Sequence, residues 1–316
     1  MTMAGKKNND VTDSPHSTAD LRRDIGVFGA MMMGMGSIVG TGVFVSIGIA
    51  AEVSGPSVIV AIFLASLVAI CNGLSSAQLA ANHPVSGGTY EYGYKWLSPR
   101  LGFTAGWMFL CAKSASAATA ALGFAGYLLH ATGGNHQVWL VPIALATVGV
   151  LTIIALAGIS RSNTANIAIV SVTLLSLAFF VVAGFPAALT GADKNLFAFL
   201  TSDVDRKGLL QATALMFVAY TGYGRIATLG EEVKEPRRTI PRAVIATLIA
   251  SMVLYVSVAF VGLGVAGAEA FGAATRQQVA PLEVIASGFG IPGAGMILSL
   301  GAITAMLGVL LNLLLG

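Results

Sequence analysis

The chain has 316 residues, of which 56% are hydrophobic and only 10% are charged. A soluble domain usually carries about a quarter charged residues, so the composition excludes a soluble globular protein and predicts an all-α integral membrane protein. The net charge of +3 is small, and it gives no reason to expect a nucleic-acid partner.

Eight apolar segments are long enough to cross a lipid bilayer, whose core takes about 20 helical residues. They form one transmembrane domain over residues 25–316. The polar residues 1–24 before it are predicted to be a disordered cytoplasmic tail. The predicted spans are 25–50, 57–81, 101–130, 138–158, 165–189, 209–231, 241–268 and 294–316.

Most of the 17 Lys and Arg residues fall on one side of these spans. Cytoplasmic loops carry the excess of Lys and Arg in membrane proteins. This bias predicts a multi-pass protein of the cytoplasmic (plasma) membrane with a cytoplasmic N-terminus.

The first span contains four closely spaced glycines: Gly34, Gly36, Gly40 and Gly42. Glycine at this density weakens a helix, and irregular backbone inside a bilayer is tolerated only where it is buried in protein or lines a cavity. The segment is therefore a candidate ligand site. The alternative is that the glycines serve close helix packing.

A second interruption lies in the sixth span, at residues 220–225. The first and sixth spans are five helices apart and run in opposite directions. This arrangement is typical of inverted-repeat transporters, in which discontinuous helices form the substrate site. We therefore predict a first repeat over about 25–189 and a partial second repeat over 209–316.

The other chemistry-bearing residues do not indicate an enzyme. Cys71 and Cys111 lie in separate spans without ligand-like spacing, so no metal site or disulfide is expected. His83, His130 and His136 are placed at the ends of predicted spans and form no cluster with acidic residues. We expect no cofactor and no metal.

Four motifs, taken together and in order, resemble the amino acid-polyamine-organocation (APC) superfamily, nearest to bacterial relatives of the cationic amino acid transporters. The resemblance implies a secondary transporter that works by alternating access, with an inverted five-helix repeat fold and discontinuous helices 1 and 6. The motifs are Gly36–Phe44, Pro84–Tyr90, Gly102-Phe103 with Gly106-Trp107, and Gly230-Glu231-Glu232 with Pro236 and Ile240-Pro241.

The first break suits the carboxylate of an amino acid, because the N–H groups that start a helical segment attract anions. Ser37 and Thr41 add hydroxyl donors. The resemblance implies that the substrate ammonium group is received by carbonyl groups of both broken helices. The predicted substrate-binding residues are Met33, Gly34, Met35, Gly36, Ser37, Ile38, Val39, Gly40, Thr41, Gly42, Phe217, Val218, Ala219, Tyr220, Thr221 and Gly222.

Lys113 and Arg225 are predicted at membrane depth, where an ionisable group is costly and usually functional. Lys113 is expected to act as a fixed cation, or as the proton carrier if transport is coupled to protons. Arg225 is expected to have a structural or inner-gate role. A cationic substrate is unattractive beside two basic groups, so a neutral amino acid is favoured.

The resemblance also implies gating residues around the second break. Phe217, Tyr220 and Tyr223 are candidates for an aromatic lid. Glu231 or Glu232 is the candidate acidic partner of an inner gate, although a solvated loop would also explain them.

A complete five-plus-five architecture needs ten helices, and the sequence supplies about eight. We therefore expect an incomplete second repeat, with an oligomer or a second polypeptide as a possible completing partner. The alternative function is a truncated, non-transporting remnant or a regulatory membrane protein that binds the substrate without moving it.

Overall fold

The computed structural model describes residues 24–83, 88–133, 136–156, 163–195, 205–278 and 280–314. Within these ranges the chain is helical, and the β pairing recorded there is a single bridge between Ile25 and Val233. Residues 1–23 of the predicted tail and residues 84–87 of the second motif lie outside the described residues.

The helices follow one another with short connections. They are α1 (Val27–Ile38), α2 (Ile47–Ser54), α3 (Val58–Asn82), α4 (Thr89–Trp96), α5 (Pro99–Thr132), α6 (His136–Leu156), α7 (Asn163–Asn195), α8 (Arg206–Tyr220), α9 (Gly224–Ala227), α10 (Pro236–Gln278), α11 (Pro281–Ser287) and α12 (Ala294–Leu314). A π-helix (Gly42–Ser46) precedes α2, and 3₁₀ turns (Gly55–Ser57 and Thr221–Tyr223) precede α3 and α9.

Five segments are long and apolar enough to cross a membrane, which confirms the prediction of a helical membrane protein. Two shorter apolar helices, Val27–Ile38 and Val138–Ile154, fall within the predicted first and fourth spans. The count of eight spans and the repeat symmetry stay predictions. The five segments are Gly42–Asn82, Pro99–Thr132, Asn166–Ala192, Pro236–Arg276 and Ala294–Leu314.

Two glycines explain where long apolar stretches turn. Gly55 has a φ of 62° and separates α2 from α3, and Gly267 has a φ of 76° inside α10. Side chains with a Cβ rarely adopt such angles. The kink at Gly267 lies at the end of the predicted seventh span, so α10 contains that span and an extension beyond it.

The central helix of the described structure is α10, which packs against α1, α2, α3, α7 and α11. α5 packs against α4, α6 and α12. Large apolar side chains on α5 and α6 point away from the protein, among them Trp107, Met108, Leu145 and Ile153. Such a surface suits contact with lipid, where apolar side chains meet an apolar solvent.

The contact between α7 and α10 depends on small residues. A Cβ on Gly264 would lie 2.8 Å from the Cα of Ala188, and a Cβ on Gly191 would collide with the Gly264 carbonyl oxygen. The Asn195 side-chain amide donates a hydrogen bond of 3.0 Å to the same carbonyl. Small residues at such crossings let the two backbones approach closely.

Replacing Gly264 by Leu should therefore destabilise the protein by about 1–3 kcal/mol, because overpacking forces the two helices apart. Thermal unfolding in detergent measures the change. Gly149→Leu is the matched control, since no atom lies within 4 Å of a Cβ built on Gly149. Equal unfolding temperatures for the two variants would contradict the close α7–α10 contact.

Candidate functional site

The first helix is interrupted after Ile38. Val39 has an extended backbone (φ −81°, ψ 94°), and its N–H donates a 2.7 Å hydrogen bond to the Met35 carbonyl. The chain becomes helical again with the Phe44 N–H donating to the Gly40 carbonyl at 3.2 Å. Since the first N–H groups of a helical segment have no partner within it, those of Gly40 to Gly42 are available to a ligand.

The second interruption is milder. α8 ends at Tyr220, and the 3₁₀ turn Thr221–Tyr223 leads into α9 with the backbone still in the right-handed helical region. The Thr221 hydroxyl donates a 2.8 Å hydrogen bond to the Val218 carbonyl. Tightening a helix in this way rearranges the carbonyl groups at its end.

The two interruptions touch each other. A Cβ on Gly222 would lie 2.5 Å from the Ser37 carbonyl oxygen, and a Cβ on Gly42 would lie 2.9 Å from the Ala219 Cβ. Both glycines are therefore needed for contact between the broken helices. Glycine allows this approach because it has no side chain to hold the backbones apart.

Tyr255 of α10 connects the two breaks. Its hydroxyl donates to the Ile38 carbonyl at 2.9 Å and lies 3.4 Å from the Ala219 carbonyl. The side chain is fully buried, and its ring centroid lies 5.1 Å from that of Tyr220. Tyr255 was not among the residues predicted from the sequence. Its signal there is a tyrosine in an apolar span, because a buried tyrosine hydroxyl needs a hydrogen-bond partner.

A cavity of about 570 Å³ lies against both breaks. Two predicted gating residues, Lys113 and Tyr223, also line it. The predicted substrate-binding residues that line it are Ser37, Ile38, Gly40, Thr41, Gly42, Val218, Ala219, Thr221 and Gly222. Polar residues on α3, α4 and α5 that were not predicted from the sequence also line it: Asn72, Ser76, Tyr92, Ser116 and Thr119.

The other predicted substrate-binding residues lie away from the cavity wall. Met33, Met35 and Val39 are buried in the protein core, Phe217 packs against that core, and Tyr220 packs against Tyr255. The carbonyl groups of Met33 and Met35 accept hydrogen bonds from the Ser37 hydroxyl and the Val39 N–H. These two carbonyl groups are therefore already hydrogen-bonded within the first break.

Of the four glycines in the first span, two serve close helix packing and two line the cavity. A Cβ on Gly34 would lie 2.5 Å from Ile226, and one on Gly36 would lie 2.8 Å from Val170, so both glycines serve helix packing. Gly40 and Gly42 line the cavity. A Cβ on Gly40 would also meet Val309 of α12 at 2.7 Å.

Lys113 and Arg225 also share a smaller cavity of about 140 Å³, together with Ser37, Phe109 and Asn312. The Lys113 Nζ lies 5.2 Å from the centroid of the Phe109 ring. The Arg225 Nε is buried and has no hydrogen-bond partner within the described residues. Neither cavity has an acidic residue among its described lining.

Glu231 and Glu232 follow α9 and are partly exposed. The Glu232 carbonyl accepts a 3.2 Å hydrogen bond from the Ile25 N–H, and the Lys234 N–H donates to the Ile25 carbonyl at 2.9 Å. The loop is therefore joined to the start of α1.

The comparisons with known proteins identify a family for the chain. Residues 29–316 match the family model of the amino acid permeases. The chain belongs to the amino acid permease family. This finding confirms the resemblance to the APC superfamily, and because the family and the named relatives are transporters, it also confirms that the chain is not an enzyme.

Three relatives show how far the similarity extends. An uncharacterized transporter of Mycobacterium tuberculosis (strain ATCC 25618 / H37Rv) is 38% identical over 94% of this chain and 64% of its own length. The branched-chain amino acid permease BcaP of Bacillus subtilis is 26% identical over 98% of the chain and 69% of its own length. The vacuolar cationic amino acid transporter 4 of Arabidopsis thaliana is 29% identical over 96% and 52%.

Removing the Tyr255 hydroxyl should weaken the junction between the breaks. Tyr255→Phe leaves the Ile38 carbonyl without this donor, and the loss of one such hydrogen bond costs about 1 kcal/mol. Thermal unfolding in detergent should show the loss. Tyr94→Phe is the control, because Tyr94 is 50% exposed; an equal effect of both substitutions would contradict a special role for Tyr255.

Proposed function

We propose that the chain forms the substrate-binding and transporting part of a secondary active amino acid permease that works by alternating access. The observation that carries the proposal is the cavity that both helix breaks line. N–H groups of Gly40 to Gly42 receive the substrate carboxylate, where the helix dipole is positive. Carbonyl groups at the ends of α1 and α8 receive the ammonium group, with Val218 and Ala219 nearest to the cavity.

The proposed substrate is an amino acid with a neutral side chain. Lys113 lines the cavity and no described lining residue is acidic, so a cationic side chain would meet repulsion without a compensating charge. The relatives named for branched-chain and for cationic amino acids define the panel to test. Proton coupling and exchange are the two proposed modes of transport.

The proposed gates lie along the helix that contains the second break and the loop that follows it. Tyr223 lines the cavity and is buried, which suits a lid, whereas Phe217 and Tyr220 would have to move to reach the substrate. Arg225 and Glu232 are the proposed inner gate, with Glu231 as the neighbouring acid. The proposal includes a cytoplasmic N-terminus and a location in the plasma membrane. It also includes an inverted-repeat relation between α1 and α8.

Counterflow of radiolabelled amino acids in proteoliposomes tests the proposed transport. Gly40→Leu and Gly42→Leu should each abolish exchange, because their side chains would occupy the space beside Val309, Tyr255 and Ala219. Gly149→Leu should exchange at the parent rate, since its side chain meets open space. Normal exchange by both cavity variants would overturn the proposed site.

The same experiment separates transport from the alternative function. A regulatory membrane protein would bind the labelled amino acid in detergent and show no counterflow after reconstitution. Binding that is lost in Gly42→Leu, together with absent flux in the parent chain, would favour that alternative. Restoration of flux by further copies of this chain, or by a second polypeptide, would then test the proposed completing partner.

Lys113→Gln tests the fixed-cation role. Removing the positive charge should let arginine compete with a neutral substrate on the order of tenfold better, because a repulsion of about 1–2 kcal/mol is relieved. Competition in the counterflow assay measures this ratio. Lys95→Gln on α4 is the control, and the Lys113→Gln variant should keep the parent's pH profile; a flat profile would instead assign Lys113 the proton-carrier role.

A further inference from the structure

A buried acidic residue lies apart from the cavities already described. Glu283 of α11 is 8% exposed, and its Oε1 lies 3.0 Å from the Nδ1 of His130 at the end of α5. The Glu283 Oε2 is buried and has no hydrogen-bond partner within the described residues. These two residues, the His130–Glu283 pair, are 153 positions apart in the sequence and meet only through the fold.

The pair is joined to the first helix break through Tyr127. This residue lies one helical turn before His130 on α5 and is fully buried. Its hydroxyl donates a 3.1 Å hydrogen bond to the carbonyl of Phe44, in the π-helix that follows the break. The Tyr127 and Phe44 rings also meet edge to face, with centroids 5.9 Å apart.

α11 itself packs against that π-helix and against α12, α10 and α7. α11 therefore directly contacts the segment that follows the first break. A series of contacts among described residues therefore connects the pair, through Tyr127 and the π-helix, to the cavity.

The elements packed around the pair carry the following ionisable groups within the described part of the chain. The π-helix and α12 contain none, the last five turns of α5 carry Tyr127 and His130 themselves, and α6 begins at His136. The outer part of α10 carries Glu269 and Arg276, and the Arg276 guanidinium lies 3.1 Å from Glu52 of α2. The last turns of α7 contain Asp193 and Lys194.

A metal site does not explain the arrangement. No group of three or more His, Cys, Asp or Glu side chains that could hold a metal occurs among the described residues. One imidazole and one carboxylate are the minimum for sharing a proton, and histidine takes up a proton within the physiological pH range.

We propose that the His130–Glu283 pair is a proton-binding site that regulates the first helix break. A proton on the imidazole makes the pair an attractive ion pair, whereas its loss leaves one buried negative charge with an unpartnered oxygen, which is costly. Protonation therefore holds α11 on α5, and through Tyr127 and the π-helix it restrains the break. Loss of the proton releases this restraint.

The transport test rests on the proposed function and uses counterflow with equal pH on both sides of the membrane, which removes any proton gradient. Exchange by the parent chain should rise at least about threefold between pH 5.5 and pH 8. Glu283→Gln should show a ratio near one, because a neutral amide forms no ion pair. Glu52→Gln, which removes the carboxylate paired with Arg276 of α10, should keep the parent's ratio.

A second measurement needs no transport, so a failure of the proposed function does not hide the result. The unfolding temperature of the parent in detergent, taken relative to that of Glu283→Gln, should be higher at pH 5.5 than at pH 8, because the charged imidazole attracts the carboxylate and its deprotonation leaves the buried charge uncompensated. In a His130→Gln background this relative unfolding temperature should be the same at both pH values. An equal stability difference at both pH values, or a parent-like pH ratio of exchange in Glu283→Gln, would overturn the proposal.

Discussion

The fold depends on direct contact between the two interrupted helices. Inside a membrane, backbone groups released by a break must be satisfied by protein or face a cavity. Here the Tyr255 hydroxyl serves the Ile38 carbonyl, while Gly222 allows the second helix to reach the Ser37 carbonyl. The break is thus supported on one side and open to the cavity on the other.

The charge of the cavity follows from the same geometry. Lys113 belongs to α5, and Arg225 belongs to the helix after the second break. Both line the smaller cavity, which Ser37 of the first break also lines. Charges interact more strongly where water is scarce, and this is the physical reason for proposing a substrate with a neutral side chain. The backbone N–H groups of the first break carry partial positive charge of the same sign.

Much of the helical organisation could be predicted from composition and apolar length. Glycine density located both breaks, since glycine is the residue that weakens a helix most apart from proline. The sequence did not reveal which glycines pack and which line the cavity, because Gly34 and Gly36 differ from Gly40 and Gly42 only in their distant neighbours. Tyr255 and Glu283 were missed for a similar reason: their partners lie far away in the chain.

The most direct test of the account is whether a bound amino acid occupies the cavity between the breaks. In a variant with Cys71→Ser and Cys111→Ser, Thr221→Cys places a thiol on the cavity wall. Thr190→Cys is the control, because Thr190 is also exposed and its hydroxyl makes the same kind of 2.8 Å bond to a carbonyl three residues earlier. The account predicts that an exchanged amino acid slows thiol modification at position 221 and leaves position 190 unchanged; equal rates with and without the amino acid at both positions would contradict it.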